Sequence, residues 1–84
     1  MLVVDSLVWD DWNREHLARH HITPEEVEEV CNGDHQTTES YRKRIMVKGQ
    51  TKTGKNLSII LSPEDTNLKP YGGGIYYVIT AYYE

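Results

Sequence analysis

Three observations predict an α+β fold, with two N-terminal helices packed on one face of an antiparallel β-meander. Residues 9–31 hold two runs of helical periodicity, each with its own start signal. Residues 42–61 and 75–83 read as strands. Turn-forming residues gather between these segments rather than inside them.

The elements follow in order. Val3 and Val4, then Leu7 and Trp9 alternating against Val8, mark a short strand over residues 6–9. Asp10 or Asp11 caps a first helix, in which Trp12, His16, Leu17 and His20 fall on one face. The His20-His21 pair ends it. Thr23 caps a second helix, Pro24 takes its first position, and Glu26 completes a capping box. Ile22 and Val27 are spaced as a hydrophobic staple, and Val27, Val30 and Cys31 form the apolar stripe. Asn32-Gly33 is expected to stop the helix, with the glycine in the left-handed conformation. Trp9 and Trp12 are expected to supply much of the area buried against the sheet.

Residues 34–40 read as a short polar strand or a loop. From residue 42 to 53 the chain alternates. Ile45, Val47, Gly49 and Thr51 point one way; Arg44, Met46, Lys48, Gln50 and Lys52 point the other. Thr53-Gly54-Lys55-Asn56 is a hairpin turn into a central strand, residues 57–61. Residues 62–74 form a loop. Its three consecutive glycines open no helix, so they signal a hinge into the last strand and not a phosphate loop. In that strand, residues 75–83, Ile75, Tyr77, Ile79 and Ala81 face one way and Tyr76, Val78, Thr80 and Tyr82 the other.

Eighty-four residues make a single domain, 1–84, with a modest core that a covering partner would help to stabilise. Nine basic against thirteen acidic residues give a net charge of −4, the wrong sign for bulk electrostatic binding of nucleic acid. The distribution is uneven. Arg42, Lys43, Arg44, Lys48, Lys52 and Lys55 lie in one window without an acid between them; the remaining three bases and thirteen acids sum to −10. The strip serves either as a local address for RNA or an acidic partner, or as ordinary solvated strand residues. A single cysteine, Cys31, excludes an intramolecular disulfide and suits the reducing cytoplasm. No apolar run reaches membrane-spanning length, and the N-terminus lacks the charged start of a signal peptide.

The pattern Trp9-Asp10, Asn13, Arg19-His20, Ile22, Glu25, Val27 and Glu29-Val30 resembles the opening motif of the BrnT family. These are small toxins of bacterial toxin–antitoxin pairs, related in fold to RelE-type ribonucleases. The resemblance continues through residues 44–49, the Gly54-Lys55-Asn56-Leu57 hairpin and residues 77–81, and so covers residues 7–82. Three departures stand out. Arg19-His20-His21 replaces a Lys-His-Gly corner, so a different backbone angle is expected there. Tyr82 stands in place of an arginine. No helix carrying Glu-Arg and Tyr follows Glu84.

The resemblance implies a cytoplasmic toxin that cuts RNA without metal or cofactor, restrained by a cognate antitoxin that also binds DNA, as a homo-oligomer or a heterotetramer with that antitoxin. It points to Arg19, His20 and Arg44 as catalytic, with Arg42, Lys48, Lys52, Tyr76 and Tyr82 as RNA contacts. Such cleavage needs a proton acceptor, a cation at the phosphorane and a proton donor. Histidine suits the first and arginine the second. Tyrosines can stack on unpaired bases. Each residue also has a structural reading: His20 as a helix end, Arg44 and Lys48 as edge charges, the tyrosines as packing or partner contacts, Asn13 as a cap. At the level of the whole chain, the alternative is a decayed toxin that pairs with an antitoxin or another protein without cleaving RNA. His16 and His20, with His21, His35 and Cys31, raise a metal site, but no H-E-x-x-H pattern or finger spacing accompanies them.

Overall fold

The computed structural model describes residues 3–39, 43–65 and 67–84. Leu2, Ser40 and Arg42, which the sequence places in or beside strands, lie outside the described residues. The order is β1 (Ser6–Val8), α1 (Asp11–Arg19), α2 (Pro24–Asn32), β2 (His35–Glu39), β3 (Ile45–Gln50), β4 (Asn56–Ser62) and β5 (Ile75–Tyr83).

The sheet is mixed, with strand order β1-β5-β4-β3-β2. Strands β2 to β5 are antiparallel neighbours, as expected. Strand β1 departs from a simple meander: it lies parallel to β5, with Ser6 opposite Ile75 and Val8 opposite Tyr77. A parallel pair needs a long connection, and nearly the whole chain supplies it. Helix α2 packs on β3 and β4, while α1 packs along β5, beyond the point where β1 stops.

Both helix starts follow from local chemistry. Asp10 accepts from the Asn13 backbone N–H at 2.8 Å, and the Asn13 side chain accepts from the Asp10 N–H at 2.9 Å. Thr23 and Glu26 make the same reciprocal bond pair at α2. Asn13 goes further. Its amide nitrogen donates to Val8 O and Val78 O, at 2.9 and 3.1 Å, and the residue is fully buried. The inward stripe of α1 is therefore Asn13 and Leu17. Trp12 lies beside that stripe and is 57% exposed, so only Trp9 of the two tryptophans packs against the core.

The core joins Leu17, Ile22, Val27, Val30 and Cys31 of the helical half to Val47, Leu57, Ile59, Leu61, Val78 and Ala81 of the sheet. Ile22 and Val27 both lie in it, as a staple across the α2 cap requires. Gly49 lets α2 approach, because an added Cβ would lie 2.8 Å from Val30 Cγ1 and 3.2 Å from a backbone oxygen.

The last strand breaks its expected alternation. Ile60 pairs with Thr80 and Leu61 with Val78, so Ile79 is an extra residue in a β-bulge. Val78 and Ala81, three residues apart, both face the core. Tyr76 turns inward with them; Tyr77, Thr80 and Tyr82 share the outer face with Ser62, Ile60 and Ser58.

One corner also differs from expectation. Gly33 is extended, at φ −99°, and its value lies in space: a Cβ would lie 3.0 Å from Glu29 O. His21 adopts φ 61°, a left-handed angle that a glycine takes far more easily than a histidine. The histidine therefore bears strain at this corner.

Asn13→Ala is expected to lower the unfolding free energy by about 2–4 kcal/mol, since it strands two carbonyls and dissolves a capping box. His21→Gly is expected to raise it by about 0.5–1 kcal/mol. Urea melts of the two variants check both signs.

Candidate functional site

Both helices lie against one side of the sheet, and among the described residues no helix lies over the outer side of β3, β4 and β5. Helix α1 runs along β5 at its margin, and contacts fix its direction. Asn13 reaches Val78, His16 Nε2 lies 2.9 Å from Thr80 Oγ1, and the Tyr83 hydroxyl donates to His21 O at 2.6 Å. The start of α1 therefore sits at one end of the uncovered face and its finish at the other.

The sequence-predicted residues divide between these ends. Arg19 is the last residue of α1 and His20 is its C-cap; both are exposed. The same end holds the cross-strand row Lys48, Ser58 and Tyr82. Lys48 pairs with Glu84 at 3.3 Å, and Glu84 also accepts a bond from the buried Ser58 hydroxyl. The Ser58 bond, then Lys48, hold the Glu84 carboxyl below its ordinary range. Lys48 therefore has a resident partner.

Arg44 belongs to the other end. It lines a groove of about 590 Å³ beside Ser62, Tyr77 and Trp12. It stands four residues before Lys48, about 13 Å along the strand direction. His20 and Arg44 thus do not share a cleft. Lys52 is elsewhere again, in the β3–β4 turn, where its backbone N–H bonds Glu29 of α2 at 3.0 Å. Tyr76 packs against the core opposite Leu7 and is not on the uncovered face. Arg42 lies outside the described residues.

What connects the two ends is a row of rings. The Trp12 indole stacks on His16 with centroids 5.2 Å apart and an interplanar angle of 4°. His20 meets His16 edge-on at 5.3 Å. The spacing i, i+4, i+8 visible in the sequence produces this ladder, which flanks the uncovered face instead of facing the core.

The groove also contains residues that sequence reasoning missed. The Tyr77 hydroxyl donates to Asp10, 2.9 Å from Oδ2, so one carboxylate both caps α1 and anchors β5. Burial, then that bond to Asp10, push the Tyr77 hydroxyl up to about 12. Tyr71, Glu64 and Asp65 complete the wall. Burial and then Asp65 raise the Tyr71 hydroxyl. No local pattern marks these residues. The parallel β1–β5 pair and the loop before β5 bring them together.

Among the described residues, no three of His, Cys, Asp and Glu are grouped to hold a metal ion. Cys31 is unsuited to that work: burial first, then Glu28, push its thiol up to about 12, and metal binding needs the thiolate. Among the same residues, no helix is long and apolar enough to cross a membrane.

No family model, curated protein or solved structure matches the chain.

Cys31 is expected to resist alkylation by a thiol reagent at pH 8 in the folded protein and to react fully in guanidinium. Intact mass before and after denaturation reads the difference.

Proposed function

We propose that the chain is the toxin of a bacterial toxin–antitoxin pair, acting in the cytoplasm as a metal-independent endoribonuclease and neutralised by a cognate antitoxin. The single observation that carries the reading is the ordered set of BrnT-like motifs spanning residues 7–82. Two helices set between an edge strand and a four-stranded antiparallel run are compatible with a RelE-like relationship.

In this reading RNA lies along the uncovered face. His20 is exposed at the end of α1, so it can meet a 2′-hydroxyl and take its proton. Arg19 beside it steadies the charge that develops on the phosphorus oxygens. Tyr82 and the Trp12–His16–His20 ladder offer ring faces to unpaired bases. Arg44, at the far end, holds a phosphate some nucleotides away and fixes the register of the strand rather than reaching the scissile bond.

The test is digestion of single-stranded RNA in chelator, with growth on induction as a second readout. His20→Ala is expected to lose about 10²-fold or more in cleavage rate. Arg44→Ala is expected to weaken binding and to flatten its salt dependence by about one unit of slope. Equal cleavage by the native chain and both variants removes these residues from the mechanism.

A second reading has its own support. The separation of His20 from Arg44, and the engagement of Lys48 by Glu84, favour a non-catalytic module that keeps only the partner-binding half of the role. Co-purification with the product of an adjacent gene, without RNA cleavage or growth arrest, selects it.

A further inference from the structure

The groove at the start of α1 has the composition of a receptor for a cationic side chain. Three rings, Trp12, Tyr71 and Tyr77, and three carboxylates, Asp10, Glu64 and Asp65, line it. Val8 and Ile79 supply apolar surface between them. One cation, Arg44, shares the lining; among the described residues it makes no ion pair. Lys43 is only loosely associated, 3.9 Å from Glu64 and largely exposed.

We propose that this groove docks a segment of a partner protein by taking up one arginine side chain. Charge complementarity chooses the occupant. Three carboxylates against one arginine leave the groove negative away from Arg44, and that negative part attracts a cation. The rings then choose among cations. A planar guanidinium stacks on aromatic faces while its fork donates to two carboxylate oxygens, and a lysine ammonium does only the second well. The exposed Trp12 is accounted for as well: one indole face rests on His16, and the residue borders the groove. The occupant is thus an arginine flanked by small or apolar residues that lie over Ile79. The proposal rests on the reading above only in supplying a protein partner; it needs no ribonuclease activity.

The test uses the whole chain and a defined probe. This is an acetylated, amidated heptapeptide of alanine and leucine with one central arginine, titrated at low salt while the indole N–H resonances are followed. The expected result is saturable movement of the Trp12 signal with little movement of Trp9. A peptide carrying citrulline, which keeps the planar shape and loses the charge, is expected to bind about tenfold more weakly. Glu64→Gln is expected to weaken binding several-fold, and Arg44→Gln to strengthen it, because the resident cation competes with the incoming one. The strengthening separates this site from an RNA contact, where the same variant weakens binding. Equal affinity for the arginine and citrulline peptides overturns the proposal, as does weakening by Arg44→Gln. Displacement of the peptide from Trp12 by a short oligouridylate in the Arg44→Gln variant, where the arginine that could hold a phosphate is gone, also overturns it and reassigns the groove to nucleic acid. If either variant fails to fold, the two-peptide comparison on the native chain decides alone. Because peptide binding is read directly, its failure is distinct from failure of RNA cleavage or growth arrest.

Discussion

One buried amide holds this molecule together. The Asn13 side chain closes the cap of α1 and donates to the carbonyls of Val8 and Val78, so a helix, an edge strand and the last strand converge on its two polar atoms. Buried polar groups are tolerated only when satisfied, and a satisfied one fixes geometry more sharply than apolar packing. The remaining arrangement follows from that junction. With Val8 and Val78 joined through Asn13, β1 lies parallel to β5 and α1 must run beside β5. Trp12, His16 and His20 are then carried to the margin of the uncovered face, and Asp10 is brought within reach of Tyr77.

The same junction explains the division of charge. Because α1 and β5 run the same way, residues at opposite ends of α1 face opposite ends of the sheet. Arg44 is then separated from Arg19 and His20 by the length of a helix of nine residues. The acids are not scattered at random. Asp10 does cap work, Glu64 and Asp65 sit in the loop before β5, and together they give one end of the face a sign opposite to its single arginine. The other end carries Lys48, neutralised by Glu84. Local sign, rather than net charge, decides what each end can hold.

Where the sequence was informative, the physics was local. Caps at Asp10 and Thr23, the Pro24 start, the staple and the hairpin turn each depend on neighbours within five residues, and all appear as read. The strands of the central hairpin keep their alternation because both faces of β3 differ in character. Reading failed where distant partners decide. The bulge at Ile79 depends on β4, and without it Tyr76 counts as an outward residue. The parallel pairing of β1 depends on a strand almost the whole chain away. Trp12 was misplaced because helical periodicity groups residues by angle without saying which stripe is inward; the small polar Asn13, not the large indole, was the inward one. His21 is a different case: nothing in its residue type marks the left-handed angle it adopts, which the surrounding packing holds in place.

The order of the sheet has a consequence for synthesis. Strand β1 and helix α1 leave the ribosome first, yet their partners Tyr77 and Val78 lie 65 or more residues later. Helix α2 and the β2–β4 ladder have their neighbours at hand as they emerge. Strand β1 and helix α1 therefore wait, their indole and imidazole rings in solvent, until β5 arrives and inserts between β1 and β4. Loop closure over such a span is slow. During that interval the surface that later lines the groove does not yet exist, so no partner can occupy it before translation has passed the last strand.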